Sequence, residues 1–153
     1  MKSPSLSQSD FSNVVRLTPL VSIDLILRDD ANRVLLGLRA NEPAKGFYFV
    51  PGGRIRKDET LYSAFARILA TETGCVGTLN EGRLLGVFEH LYEKNPFGDP
   101  GYGTHYVVVG YEIMIGAGRP IKPDAQHTEY AWWKVSDILS SPHVHENTKA
   151  YFR

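Results

Sequence analysis

The sequence predicts one domain of the α/β (α+β) class, built on a mixed β-sheet. Two patterns lead to this prediction. Several short segments alternate apolar and polar residues with the period of two that is typical of strands. One longer segment, residues 58–73, repeats its apolar residues with the period of a helix. The 153 residues, of which 42% are hydrophobic, suit a single domain, residues 1–153, with its own buried core.

The first third of the chain predicts an arm and three strands. Residues 1–13 are rich in Ser, Asn and Gln, and we expect a loose N-terminal arm there. Residues 20–27 alternate in polarity and predict a strand, and a turn leads into a returning strand over residues 33–39. Residues 47–50 form a short apolar strand, which a Pro-Gly-Gly sequence at 51–53 closes.

The long helical segment has recognisable ends and a single apolar face. Asp58 is a candidate N-cap, and Gly74 suits the left-handed conformation that ends many helices. Four side chains fall on one stripe of the helix: Leu61, Phe65, Ile68 and Leu69. We therefore expect this helix to pack against the sheet.

The second half of the chain returns to strands. Residues 83–92, 105–115 and 129–135 each predict a strand, and long loops that contain Gly and Pro connect them. Residues 136–139 begin a helical turn, and residues 145–152 predict a last helix. Strands around one long helix, with a further helix near the end, favour a mixed sheet.

Composition narrows the range of partners. Lys and Arg number 17, as do Asp and Glu, so the net charge of zero argues against nucleic-acid or anionic-membrane binding. Cys75 is the only cysteine, and residues 3–13 lack the apolar core of a signal peptide. We expect a cytoplasmic protein in which a few placed arginines bind any phosphate.

One motif carries the chemistry. Residues 53–74 resemble the Nudix box, in which a glycine, a glutamate, an arginine, an aliphatic residue, a second glutamate and a glycine recur at fixed spacing. The matching positions are Gly53, Glu59, Arg67, Leu69, Glu72 and Gly74. This resemblance to the Nudix superfamily implies a mixed sheet sandwiched between helices. It also implies a metal-dependent hydrolase in which the helix presents carboxylates to hard cations.

The motif also departs from the usual box. Ile68 and Thr71 stand where glutamates are usual, and Glu72 is the one carboxylate kept in that sector of the helix. A site with fewer carboxylates suits one metal ion with supplementary ligands. The alternative is a site that has lost its activity.

The same departure is typical of the GDP-mannose mannosyl hydrolases, a Nudix branch that this chain resembles over residues 10–152. Similar segments include 18–24, 35–39, 41–44, 49–54, 104–108, 126–127 and 144–147. The resemblance implies Mg²⁺, one ion per site with Mn²⁺ as a substitute, and GDP-mannose as substrate. It also implies attack of water at C1 of the sugar with inversion, releasing GDP and free sugar. A homodimer is expected on the same ground.

The resemblance also implies roles for single residues. The metal ligands would be the Gly52 carbonyl, the Glu72 carboxylate and the Gln126 side chain. His127 would be the general base, for which an imidazole has a suitable pKa.

Phosphate and substrate contacts complete the implied site. Three arginines would bind phosphate or orient acidic ligands: Arg39, Arg54 and Arg67. Asp24 would orient the substrate or Arg39, Tyr106 would donate a hydrogen bond to the leaving diphosphate, and His90 matches a position near the site.

Simpler interpretations stay open for several of these residues. His127 alone would be a solvated loop residue, Asp24 a strand-edge residue, and Glu59 a partner for Arg67 rather than a metal ligand. Ile68 is expected in the core.

Two alternatives for the function also stay open. One is an ordinary Nudix pyrophosphatase that yields GMP and sugar 1-phosphate, and the other is a non-catalytic nucleotide-sugar sensor. The sequence leaves the choice among mannose, glucose and fucose open.

Overall fold

The computed structural model describes residues 5–116, 121–122 and 127–153, with the side chains of residues 127 and 128 left undescribed. The elements in chain order are α1 (Gln8–Leu17), β1 (Leu20–Arg28), β2 (Val34–Arg39), β3 (Tyr48–Phe49), β4 (Gly52–Arg54), α2 (Leu61–Thr73), β5 (Gly82–Tyr92), β6 (Thr104–Met114), β7 (His127–Trp133), α3 (Val135–Ser140) and α4 (Glu146–Lys149). Two 3₁₀ turns, Leu79–Glu81 and Ala150–Phe152, follow α2 and α4. None of the helices in these ranges is long and apolar enough to cross a bilayer.

The strands of the described residues form one mixed sheet in the order β3-β2-β1-β6-β5, with β4 paired to β1 and β7 to β2. The β1–β6 pair is parallel and the other pairs are antiparallel. β1 pairs with β6 along its whole length. Its other edge is divided, because β4 pairs with residues 22–24 and β2 pairs only at Arg28. The mixed-sheet α+β prediction is confirmed.

Helices cover both faces of the sheet. Phe65, Ile68 and Leu69 of α2 are fully buried against β1 residues such as Ile23 and Leu25. On the opposite face, Ile138 of α3 packs in a second cluster with residues of β1 and β2. The predicted apolar stripe is therefore confirmed at three of its four positions, whereas Leu61 is 41% exposed at the start of the helix.

The predicted start of α2 is wrong by about one turn. Asp58 has a φ of 67°, whereas an N-cap residue is extended, so Asp58 does not cap the helix. Thr60 does so, and its hydroxyl accepts a hydrogen bond of 3.1 Å from the Ser63 amide. The predicted end is confirmed, because Gly74 takes a left-handed φ of 74°.

The loose arm predicted for residues 1–13 is wrong from residue 8 onward, where α1 begins. Ser7 caps the helix by accepting from the Asp10 amide at 3.1 Å. The Ser12 hydroxyl lies 2.9 Å from the Tyr102 hydroxyl, and Phe11 packs edge-on against Phe97 at 5.5 Å. Contacts with the loop of residues 93–103 therefore stabilise α1, although its polar composition is typical of an irregular segment.

The loop of residues 93–103 is built around one buried amide. The Asn95 side chain donates to the carbonyls of Asp99 (2.8 Å) and Tyr102 (2.9 Å) and accepts from the amides of Phe97 (3.0 Å) and Asp99 (3.2 Å). Asn95 is 2% exposed. Because all four bonds join residues within the loop, they fix its shape.

Candidate active site

A cavity of about 510 Å³ opens between β1, β4, α2 and the loop after β5. Eight of the ten residues predicted for the site line it: Asp24, Arg39, Gly52, Arg54, Arg67, Glu72, His90 and Tyr106. The other two are Gln126, which lies outside the described residues, and His127, of which the backbone alone is described. The fold thus gathers at one cavity the predicted residues whose side chains it describes.

One wall of the cavity comes from the pairing of β1 with β4. Asp24 lies opposite Gly52 in this antiparallel pair. A Cβ atom added to Gly52 would come within 2.8 Å of the Ile23 carbonyl oxygen and would also collide with Asp24 Oδ1. A glycine is therefore required here, and its backbone lies directly against the Asp24 carboxylate.

The facing wall comes from α2. Ile68 is fully buried and packs against Gly53 of β4, so its predicted place in the core is confirmed. Glu72 follows one helical turn later on the same face and is 6% exposed. Thr71, at the other position where the usual box has a glutamate, lines the cavity from the exposed side of the helix.

Glu72 has the character of a cation ligand. Its Oε2 atom is buried and has no hydrogen-bond partner within the described ranges of the chain. A buried carboxylate oxygen without a donor is costly, and a hard cation removes that cost. Groups of three or more His, Cys, Asp or Glu side chains suited to a metal are absent from the part of the chain that the structure describes. The Glu72 carboxylate and backbone oxygens such as that of Gly52 are donors that fit one oxygen-bound ion.

Glu59 holds Arg67 by a two-pronged ion pair. Arg67 Nε donates to Oε2 at 2.7 Å and Nη2 donates to Oε1 at 2.8 Å, while the Arg56 amide donates to Oε1 at 2.8 Å. The Arg67 guanidinium holds the pKa of Glu59 below its ordinary value, so the carboxylate is charged. Arg67 Nη2 also donates to the Arg54 carbonyl at 2.9 Å. Arg67 therefore fastens the loop before α2 to the helix while it lines the cavity.

The cavity is rich in guanidinium groups. Besides Arg39, Arg54 and Arg67, the cavity is lined by Arg56, for which the sequence predicted no role. Arg39 Nε donates to the Pro43 carbonyl at 2.8 Å, and the Arg54 guanidinium lies over the Phe11 ring at 5.0 Å. Burial, chiefly, and the neighbouring positive charges lower the pKa of Arg54, which still leaves it charged near neutral pH. Such a cluster suits a diphosphate.

The inner end of the cavity presents neutral hydrogen-bonding groups. Burial, with a smaller effect of His145, lowers the pKa of His90 to about 4, so its imidazole is neutral at pH 7. Burial raises the pKa of Tyr106 and of Tyr92, so both phenols keep their protons. Tyr106 can therefore donate a hydrogen bond, as its predicted role requires.

Two further residues at the site, Phe11 and Tyr151, were not predicted from the sequence. Phe11 lines the cavity from α1, where a loose arm was expected. Tyr151 donates a hydrogen bond of 2.6 Å to Asp24 Oδ2. No local signal marks either residue, because each reaches the site through contacts distant in sequence.

The backbone of β7 places the predicted base near a predicted phosphate ligand. His127 is the first residue of β7, and its register partner is Arg39 of β2, after a bulge. Neighbouring strands thus bring these two positions side by side.

The chain is similar to several known proteins. The family model described as the NUDIX domain matches residues 18–153. Over 124 residues the chain is 37% identical to the low-salt glycan biosynthesis protein Agl8 of Haloferax volcanii, covering 81% of this chain and 76% of that protein. Over 115 residues it is 32% identical to an ADP-ribose pyrophosphatase of Methanocaldococcus jannaschii, covering 74% and 62% of the two chains.

A solved structure supports the fold. The MutT protein of Methanosarcina mazei Go1 superposes with a TM-score of 0.71 at 20% identity, covering 88% of this chain and 91% of that one. At this level of identity the similarity concerns the fold alone.

Proposed function

The chain belongs to the Nudix hydrolase superfamily, and from that premise we propose that it hydrolyses the nucleotide sugar GDP-mannose to GDP and free sugar. In the proposed reaction, water attacks C1 of the sugar with inversion. The C1–O bond breaks and the diphosphate leaves intact. One observation carries the proposal: Glu72 is the one carboxylate in the metal-binding sector of α2, and it lies in a cavity with four arginines.

The donors on α2 and β4 support a metal requirement. Glu72 and the Gly52 carbonyl would hold one Mg²⁺, with Gln126 as a third ligand. The ion, when bound, neutralises charge on the diphosphate. Ile68 is buried in the core, so α2 offers no second acidic ligand at that position. A standard Nudix reaction at phosphorus draws on more carboxylates, and their loss favours a reaction in which the diphosphate is the leaving group.

The arginines and Tyr106 stabilise that leaving group. Arg39 and Arg54 line the cavity and would form charge-assisted hydrogen bonds to phosphate oxygens. The phenol of Tyr106, protonated at neutral pH, would donate a further bond. Because negative charge grows on the diphosphate as the C1–O bond breaks, these contacts strengthen in the transition state.

His127 would accept the proton of the attacking water. Its position at the start of β7, in register with Arg39, supports this role because Arg39 lines the cavity. Asp24 would orient the sugar or Arg39. The similarity to Agl8, a glycan biosynthesis protein, is also consistent with a nucleotide-sugar substrate.

A second candidate is an ordinary pyrophosphatase that cleaves the P–O–P linkage. The similarity to an ADP-ribose pyrophosphatase favours it, and GMP and sugar 1-phosphate would be its products from GDP-mannose. A homodimer stays a prediction, which sedimentation velocity would test.

Product analysis by ion-exchange chromatography separates the two reactions, with GDP-mannose, Mg²⁺ and purified protein. GDP without GMP supports the proposal, and GMP supports the alternative. His127→Gln should lower kcat about 100-fold or more, as loss of a general base does, while GDP binding is retained. The matched control is His143→Gln, at an exposed position outside the cavity, which should keep full activity.

A further inference from the structure

The C-terminal segment packs behind two residues that line the cavity, Phe49 and Asp24. Val144 pairs with Tyr48 in an isolated parallel bridge, and the His145 ring stacks on Phe49 at 4.8 Å. These contacts fix the chain before α4 against β3. The following 3₁₀ turn then carries Tyr151 to the buried side of β1.

Packing of the Tyr151 ring directs its hydroxyl toward the Asp24 carboxylate. Its ring packs edge-on against Phe88 at 4.6 Å. Gly110 leaves room for the ring, because a Cβ there would lie 3.1 Å from Tyr151 Cε1. The hydroxyl donates to Asp24 Oδ2 at 2.6 Å, across 127 positions of sequence. Burial and the Asp24 charge raise the pKa of Tyr151, so the phenol remains a donor.

The two oxygens of Asp24 therefore have different surroundings. Oδ2 accepts the hydrogen bond from Tyr151. Oδ1 lies against Gly52, at the backbone position that would supply a metal ligand. The terminal torsion of an aspartate is broad, so its rotamer preference alone does not fix the plane of the carboxylate. A short hydrogen bond to one oxygen restricts the orientation of that plane.

We propose that Tyr151 is a positioning residue that orients the Asp24 carboxylate, so that Oδ1 faces the cavity for the substrate or Arg39. This inference rests on the proposed function only in assigning Asp24 to the reaction. Tyr151 itself does not line the cavity and acts through Asp24. The fold thus uses its last residues to set the geometry of a residue on its first strand.

The test is a double-mutant cycle on turnover and on thermal unfolding. Tyr151→Phe removes the hydroxyl and keeps the ring, Asp24→Ala removes the carboxylate that accepts the hydrogen bond, and the third variant combines them. The matched control is Tyr48→Phe, because Tyr48 also donates its hydroxyl to a carboxylate, that of Glu129, but outside the cavity.

Tyr151→Phe should lower kcat about tenfold with GDP-mannose and Mg²⁺, since a hydrogen bond to a charged group accounts for a factor of that size. KM should stay within about twofold of the wild-type value. In the Asp24→Ala background, the same change should alter kcat less than about twofold, because the carboxylate that the hydroxyl orients is absent. Tyr48→Phe should leave kcat unchanged.

An equal fall in kcat in both backgrounds would overturn the proposal, as would no fall at all. A purely structural role would lower Tm with kcat unchanged, and that result also overturns it. If the wild-type protein yields GMP, the proposed function is contradicted. The double-mutant cycle is then measured on the kcat of GMP formation. If the wild type shows no turnover, the cycle is read in Tm: the two changes should be non-additive by about 3 °C or more. Additive shifts there would refute the contact itself.

Discussion

Replacing Glu59 by Gln tests whether the ion pair with Arg67 holds the loop before α2. The carboxylate accepts three hydrogen bonds, two from Arg67 at 2.7 and 2.8 Å and one from the Arg56 amide at 2.8 Å. A glutamine has one acceptor oxygen, so its amide nitrogen would turn a donor toward a donor. The side chains of Arg67 and Glu59 are 26% and 16% exposed, so water replaces the lost bonds only in part.

The expected loss of stability follows from these contacts. A hydrogen bond to a charged group contributes about 1.5–3 kcal/mol, and partial exposure favours the lower half of that range. We expect Glu59→Gln to lower the free energy of unfolding by about 2 kcal/mol, which corresponds to roughly 4–8 °C in Tm for a domain of this size. Because the folded protein holds the pKa of Glu59 low, this contribution is complete above the ordinary pKa of a glutamate. It is lost as the pH falls through the lower folded value.

The assay is thermal unfolding at pH 7, repeated below pH 4. The neighbouring residue supplies the control, because Asp58 pairs with Lys57 at 2.9 Å with both side chains largely exposed. Asp58→Asn should leave Tm unchanged, since exposed pairs of this kind contribute little. If Glu59→Gln shifted Tm no more than Asp58→Asn does, the ion pair would not hold the loop, and the account of Arg67 would be refuted.

Three further predictions concern the cavity. Gly52→Ala should destabilise the protein by about 1–3 kcal/mol in urea unfolding, because the new Cβ meets backbone. Gly116→Ala is its control, since no described heavy atom lies within 4 Å of the added group. Glu72→Gln should abolish the rise in Tm that Mg²⁺ gives the wild type, without lowering Tm in its absence, and an unchanged rise would exclude Glu72 as a ligand. The pKa of His90 is about 4 when folded and about 6.5 when unfolded, so stability should fall by about 3 kcal/mol from pH 7 to pH 4 through this residue. Denaturation curves of His90→Gln should lack that component, and identical pH dependence in both proteins would contradict it.

The sequence predicts α2 well because the residues that determine its packing and its end lie within the helix segment itself. Its apolar residues repeat every three to four positions, and Gly74 marks its end by a conformation that glycine adopts most easily. The spacing of the box residues fixes Glu72 on the helix face that carries Ile68, so part of the cavity wall could be predicted as well.

The elements that were missed depend on partners distant in sequence. The glycines of β4 predict a turn, but the segment forms a strand because it pairs with β1. The polar residues of α1 form a helix because Ser7 caps it and Phe11 packs on the loop of residues 93–103. Tyr151 meets Asp24 only in the folded chain. Neither composition nor periodicity encodes such pairings.

The central claim is that the enzyme breaks the bond between the sugar and the diphosphate. The most direct test is hydrolysis of GDP-mannose with Mg²⁺ in ¹⁸O-labelled water, with mass spectrometry and phosphorus NMR of the products. We expect the label in free mannose, with inverted configuration at C1, and unlabelled GDP. Label in a phosphate product, or formation of GMP and mannose 1-phosphate, would show attack at phosphorus and contradict the account.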